Sequence, residues 1–462
     1  MRTQHVRSRR RNPTNKVNSW HELVGWPVLA ILALAFAFGG GGSRYGFLNL
    51  SVQLAALATL VWCSTEVVRR WKAHQLSLKL LVALTLLLPL VQLVPLPPSV
   101  WHALPGGELT LAARNLAGAA NDWFPLTVDP QRTIIAFAAL IPAFAILFVI
   151  STQIGAAQVI LRVIIGFALL NFLVGTIQVI SGQNHLLPYP IIEPGRLYGL
   201  FASHNSSGLF FVIALCALFG LRFGKSEDLQ FRIMIGTLSL VFMLGAFLTQ
   251  SRSSIALLLL PLGAFMFRFV TAYRHRDTTG KSKSLSWPIV GAAALAGLTA
   301  IAFAVTNERL LGAFMRFGTI EDKRPLIWED SWIAFKTFFP FGSGMGSFDE
   351  IFQNFESLEH VSRGYARRAH NDFLELGIEA GIFGLALVVA WTAWIASAWR
   401  KGRDGEEGRE VDASALALLA IAAQSVLDYP LRNQTVLCLA AVLVAVLAAR
   451  ATRLRDGVIE KN

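Results

Sequence analysis

Long apolar runs alternate with short polar stretches from residue 23 to residue 450. A helix needs about 20 predominantly apolar residues to cross a bilayer. Twelve runs meet that description, centred near residues 31, 57, 86, 142, 169, 214, 240, 262, 296, 385, 420 and 440. None shows the alternating polarity of a lipid-facing strand, which argues against a β-barrel. Backbone groups inside lipid must be satisfied within the segment, so the pattern predicts an all-α, polytopic membrane protein with about 12 transmembrane helices. The expected parts are a tail over 1–22, helices one to nine over 23–306, a large loop over 307–371, helices ten to twelve over 372–450, and a second tail over 451–462.

Charge orients this scheme. The chain is 54% hydrophobic and 15% charged, with a formal net charge of +12. Such an excess could suggest nucleic acid, but its distribution does not. Basic residues gather in alternate connections: Arg2, Arg7, Arg9, Arg10, Arg11 and Lys16; Arg69, Arg70 and Lys72; Arg222, Lys225 and Arg232; Arg274, Arg276, Lys281 and Lys283; Arg400, Lys401, Arg403 and Arg409; Arg453, Arg455 and Lys461. The positive-inside rule makes those connections cytoplasmic. Both termini are then expected in the cytoplasm, and the loops near 96–131, 182–204, 250–252, 307–371 and 428–432 on the other face. The first apolar run lacks an evident small-residue cleavage site and reads as a retained helix. Cys63, Cys216 and Cys438 lie in apolar segments, without disulfide or metal spacing, and read as buried hydrophobes.

Within the outer loops, the Pro- and Gly-rich stretch LVPLPPSVWHALPGG is expected to fold back on itself. In the large loop, Trp328, Trp332 and Phe335 recur at helical spacing over 324–339. That stripe fits a helix at head-group level or one packed against the membrane domain. The following PFGSGMGSF has no preceding strand and no closing Lys-Ser/Thr, so it reads as a glycine turn instead of a phosphate loop.

Arginines sit in outer loops that ought to avoid them: Arg196, Arg252 and Arg432 in short ones, Arg324, Arg363, Arg367 and Arg368 in the long one. Guanidinium groups grip phosphate bidentately, so the placement points to an anionic ligand. The alternative is snorkelling to lipid phosphates, or pairing with Glu193, Asp428 or Glu375. Asn371, Glu375 and Glu379 are spaced by four and share a helix face, with His370 at its mouth. Ionisable groups in a membrane helix normally face a wet cavity, which predicts a polar pocket there. His370 is then a candidate base, with Glu375 as a possible orienting group.

These residues resemble the O-antigen ligase and polysaccharide polymerase superfamily. Its signature of His, then Asn, Ser or Gln, nine residues and Gly-x-x-Gly is similar to His370-Asn371 and Gly381…Gly384. Arg196, Gly199, Phe201 and Asn205 match its Arg-x-x-Gly-x-Phe…Asn segment. Ser251, Arg252 and Ser253 match its Ser-Arg-Ser motif, and Arg324, Trp328, Gly342, Gly344 and Gly346 its Arg-x-x-x-Trp helix and glycine turn. The matches run from about 190 to 390 in family order; before that the likeness is in span pattern and Pro-rich loop only.

The resemblance implies a GT-C-like, metal-independent, inverting glycosyltransferase of the bacterial inner membrane, needing no cofactor. Its donor would be a glycan on an undecaprenyl-diphosphate carrier at the periplasmic face. Its acceptor would be lipid A–core for a ligase, or a second lipid-linked glycan for a lipopolysaccharide or exopolysaccharide polymerase. His370, Arg252 and Arg324 would be catalytic. Arg196, Asn205, Ser251, Trp328, Asn371, Glu375 and Arg432 would bind substrate. No outer loop carries an Asp-x-Asp metal motif, and preorganised arginines suit a diphosphate leaving group. The transition state at the anomeric carbon would be oxocarbenium-like. Two rivals remain: a transporter or flippase, disfavoured by the lack of an internal repeat, and a non-catalytic assembly scaffold, which would not need His370.

Overall fold

The computed structural model describes residues 25–42, 45–150, 155–182, 189–190, 193–222, 229–277, 323–360, 366–405, 407–455 and 457. The chain is mostly helical over these residues, with almost no strand. In order the helices are α1 (Trp26–Phe38), α2 (Gly46–Trp62), α3 (Ser64–Ala73), α4 (Leu76–Gln92), α5 (Pro98–Trp101), α6 (Gly107–Leu116), α7 (Pro130–Val149), α8 (Ala156–Ser181), α9 (His204–Gly220), α10 (Leu229–Leu248), α11 (Arg252–Leu257), α12 (Leu259–Asp277), α13 (Arg324–Phe338), α14 (Phe348–Phe352), α15 (Asp372–Gly402), α16 (Gly408–Gln424) and α17 (Gln434–Arg455).

Five of these, α7, α8, α10, α15 and α17, are long and apolar enough to cross a membrane singly. A sixth crossing arises if α2 and α3, bent by 81° at their junction, are one span. Others of the twelve apolar runs form shorter helices: α1 has 13 residues, α4 and α9 have 17 each. At 1.5 Å per residue the shortest spans about 20 Å, less than a hydrocarbon core of about 30 Å. The run centred near 296 lies outside the described residues, as do the tail 1–22 and 307–322 of the large loop.

α9 is apolar all round, the pattern of a helix with no solvent or lipid face. Every residue from Ser206 to Gly220 is buried. It packs on α8, α10 and the alanine-rich α16. Glycines bring it close to its neighbours: a Cβ at Gly208 would lie 2.5 Å from Ser254 Oγ, and one at Gly220 would lie 2.6 Å from Ala413 Cβ. Small residues at helix contacts are the usual way for backbones to approach in a membrane bundle.

The connections gather at two opposite ends. At one, Gln158 bonds Gly220, Arg222 pairs with Glu410, Arg450 and Arg453 pair with Glu407, and Gln75 reaches Ala451. At the other, Asn433 bonds Gly40, Gln92 bonds Glu379, and the backbone of Leu197 bonds Leu248. The loops expected outside therefore meet at one end and the basic connections at the other. The Pro-rich loop folds back, with β1 (Pro95–Leu96) antiparallel to β2 (Phe124–Pro125) and the Trp101 indole donating to the Asp122 carbonyl at 3.1 Å.

A second, smaller core lies at the outer-loop end. Ala334 and Phe338 of α13, Phe348, Ile351 and Phe352 of α14, Ala369, and Ile378 of α15 form it. α15 is broken inside this core: Gly381 has φ 55° and ψ −143°, a conformation closed to residues with a Cβ. The break frees carbonyls that a continuous helix would use. Ser343 N–H donates to Ile378 O and Gly344 N–H to Glu379 O, both at 2.9 Å. In return Ile382 N–H donates to Pro340 O at 3.0 Å. The glycine turn is thus a splint for the break. Gly342, Gly344 and Gly346 all have positive φ, and a Cβ on Gly342 would sit 2.5 Å from the Glu379 carbonyl. Its amides are spent on protein groups, in keeping with a turn and not a phosphate loop. After the break, 382–402 still runs about 31 Å at 1.5 Å per residue, long enough to cross alone. Glu375 and Glu379 precede it, so no span has to carry them through hydrocarbon.

Candidate active site

His370 stands on the short link into α15, and its backbone is held on all sides. Its φ of 50° is unusual for a residue with a side chain. Such strain persists only where the surroundings over-determine it. Ala369 N–H donates to Glu375 Oε2 at 3.1 Å, and the Trp328 indole donates to Ala369 O at 2.8 Å. Asn371 caps α15, its Oδ1 accepting from Phe373 and Leu374 N–H at 3.0 Å each. Asp372 N–H donates to Ser425 O at 2.8 Å and Asp428 O at 3.2 Å. Gln250, just ahead of the Ser251-Arg252 motif, is the other residue with a side chain at positive φ among the described residues (55°).

The carboxylate beside the His370 ring is Asp428, not Glu375. Nδ1 lies 3.4 Å from Asp428 Oδ1, and the Tyr429 ring stands edge-on at 5.0 Å. That approach is long for a hydrogen bond, and Nδ1 makes none among the described residues. Catalytic contacts in a substrate-free enzyme are often loose and tighten on binding. Nδ1 is buried while a third of the side chain is exposed, so the exposure belongs to the rest of the ring. Burial works to raise the Asp428 carboxyl, but His370, Arg324 and the Tyr429 backbone outweigh it and hold the group below its ordinary range.

Asp428 links His370 to the arginines. Arg324, the first residue of α13, lies within electrostatic reach of both Asp428 and His204. His204 opens α9 and meets Arg196, Nη1 to Nε2, at 2.9 Å. Arg196 also pairs with Glu193 at 2.5 Å. Ser254 of α11 donates to Asn205 O at 3.3 Å, which draws the start of α11, and with it Arg252, beside the start of α9. Ser251 is fully buried and caps α11, its Oγ accepting from Ser254 N–H at 3.3 Å. Arg196, Asn205, Arg252, Arg324 and His370 therefore converge from four separate stretches of chain. Ser251, Trp328 and Asn371 stand beside them, with side-chain hydrogen bonds to backbone or neighbouring serines. Trp328 is partly buried and its indole bonds the Ala369 carbonyl, whereas Trp332 is half exposed and stacks on Phe335 at 4.9 Å. The aromatic stripe thus serves both packing and surface.

Glu375, Glu379 and Arg432 form a different structure from the wet pocket expected of them. Both glutamates are fully buried. Arg432, in the turn Pro430–Arg432, lies 2.7 Å from Glu379, 3.5 Å from Glu375 and 3.6 Å from Asp372. Arg368 donates to Glu375 at 2.6 Å. Burial works against the charge of Arg432 and Arg368, but the opposed carboxylates outweigh it and leave both more firmly charged than an ordinary arginine. The cluster sits directly under the Arg368–Asp372 link and fixes it. Its reach through Glu379 to Phe348 N–H, at 3.3 Å, ties the same link to the glycine splint.

Sequence reasoning did not single out Asp428 or His204 for the site. The signal was present: Asp428 precedes Arg432 in an outer loop, and His204 lies inside the Arg196–Asn205 segment. Among the described residues no group of His, Cys, Asp and Glu is arranged to hold a metal ion.

Residues 237–389 match the family model described as O-antigen ligase. That range takes in Arg252, Arg324, the glycine turn, His370-Asn371 and Gly381…Gly384, while the Arg196–Asn205 segment precedes it and Asp428 follows it. No curated protein matches the chain. The resemblance to the O-antigen ligase and polysaccharide polymerase superfamily holds, and with it a glycosyltransferase-like ligase or polymerase in general terms.

Proposed function

We propose that this membrane enzyme of O-antigen ligase/polymerase type transfers a glycan from a polyprenyl diphosphate carrier, of the undecaprenyl class, to an acceptor hydroxyl. The observation that carries the reading is the convergence of Arg196, Arg252 and Arg324 with the His370–Asp428 pair at one end of the bundle. The arginines bind the diphosphate and stabilise the negative charge that grows on it as the glycosidic bond breaks. His370 accepts the proton of the attacking hydroxyl, and Asp428 supports the imidazolium that results. Attack opposite the leaving diphosphate inverts the anomeric centre. No step calls for a metal.

Lipid A–core is the favoured acceptor, since the matched family is named for ligation. A second lipid-linked glycan, giving a polymer, suits the same residues. The site is read as periplasmic in a bacterial inner membrane, because the basic connections gather at the opposite end. Cysteines replacing Gln353 and Asp404, in a chain without Cys63, test that orientation. An impermeant maleimide should label residue 353 and spare residue 404 in intact cells; the reverse would put the site in the cytoplasm.

The function itself is tested with purified protein and a synthetic lipid diphosphate donor, without ATP or metal. Arg252→Ala and Arg324→Ala should leave membrane levels near normal and abolish transfer. Arg→Lys at either position should rescue poorly, because an ammonium cannot reproduce the planar fork. Full activity of both lysine variants would reduce the arginines to charge balance and remove the basis for diphosphate binding.

A further inference from the structure

At the end of the bundle away from His370, the chain turns through 81° between α2 and α3, at Cys63. α3 holds Glu66, Arg69, Arg70 and Lys72 within ten residues, too polar to continue through lipid. A short helix set nearly at right angles to an apolar one has the attitude of an interfacial helix lying along the membrane surface. Its faces divide accordingly. Trp71 turns inward, 5.1 Å from the ring of Phe148. Val61, Trp62 and Val68 turn outward, and Leu76 and Leu80 extend the same apolar exposure onto α4.

The charge at this corner is unbalanced. Glu66 faces both Arg69 and Arg70. Lys72 and, from α4, Lys79 add two further cations. Arg70, Lys79 and Arg455 surround His74, and the Arg455 guanidinium reaches Ala73 O at 2.6 Å. Arg70 Nη1 is buried and meets no acceptor among the described residues. His74 itself adds no charge: burial, then the surrounding cations, push its imidazole down to about 4.

We propose that this corner binds the phosphate of an anionic phospholipid from the bilayer, held by Arg69, Arg70, Lys72 and Lys79. The acyl chains lie along Val61, Trp62, Leu76 and Leu80. The apolar rim is what selects a lipid: a soluble phosphate would gain nothing from it. The site is independent of the transfer chemistry at the other end.

Cys63 provides the probe, since it is half-buried at the bend while Cys216 and Cys438 are fully buried. A bimane on Cys63 is followed in phosphatidylcholine nanodiscs carrying brominated phosphatidylglycerol or brominated phosphatidylcholine at equal mole fraction. Brominated phosphatidylglycerol should quench several-fold more strongly, less so at high salt. Near an anionic surface each cation is worth about a fivefold preference. The triple variant Arg69→Gln, Lys72→Gln, Lys79→Gln should therefore quench alike with both lipids. Its circular dichroism and labelling stoichiometry should be those of the unmodified chain, as Arg69 and Lys72 are exposed and Lys79 is only half-buried. Equal quenching by both lipids in the unmodified chain, or an undiminished preference in the triple variant, overturns the proposal. So does loss of the preference to inorganic phosphate beyond that caused by sodium chloride of equal ionic strength, which would mark a soluble-anion site.

Discussion

With glutamine at position 370, single-turnover glycan transfer from a lipid diphosphate donor should slow by about 10²–10⁴-fold, the usual cost of losing a general base. Glutamine can hydrogen-bond the acceptor hydroxyl but cannot take its proton. Donor binding, proposed to rest on Arg196, Arg252 and Arg324, should survive. A general base works only while unprotonated, so the unmodified enzyme should also lose turnover on acidification. The glutamine variant should show no such dependence. Asp428→Asn keeps the shape and removes the charge 3.4 Å from Nδ1, so its loss should be smaller and confined to kcat. Matching rates and pH profiles for the unmodified and glutamine enzymes would leave His370 a structural residue at a helix mouth.

The largest effect on stability is expected at Arg432. Its guanidinium stands among Asp372, Glu375 and Glu379, all three buried. Removing one partner of a buried charged group leaves the others uncompensated, typically at about 3–5 kcal/mol. Arg432→Ala should therefore lower the thermal midpoint in detergent by many degrees. Pairing it with Glu379→Gln should recover part of the loss, because one stranded carboxylate is gone. A midpoint unchanged in Arg432→Ala would mean that the carboxylates take up protons or water at little cost, and that the cluster does not hold the Arg368–Asp372 link. The same substitution would then be expected to act through substrate binding, the role the sequence alone suggested for Arg432.

Much of this was legible from residue order, and the limits have physical causes. The apolar runs located helices well, because burial in lipid or bundle leaves no other composition. They did not fix crossings: Trp26–Phe38 is apolar throughout yet only 13 residues long, and the bend at Cys63 is set by the polar composition of α3. The arginine motifs could be picked out since each broke the expected charge rule. Their fates diverged for reasons of register. Arg432 falls opposite three acids, whereas Arg196 bonds His204 and Arg324 lies within electrostatic reach of it. No local pattern specifies such pairings. Glu375 at i+5 from His370 looked like its orienting group, but the left-handed turn at 370 directs Glu375 to the Ala369 amide and leaves the ring to Asp428. The break at Gly381 had a signal in its glycine, though not in the turn that completes it.

The splint also sets an order of events during synthesis. Residues 340–346 leave the ribosome before 378–382, by about 2–8 s at 5–20 residues per second. During that interval the turn has no carbonyls to hold, and afterwards the nascent 382–402 segment enters the membrane already long enough to stand alone. The two halves of α15 therefore need not be threaded as one rod. The outer half can be captured late, by a turn that is waiting for it, and the left-handed residue beside it is set only at that moment. A nascent chain truncated before Ile378 would carry every member of the candidate transfer site except Asp428, and would lack the carbonyls that the splint holds.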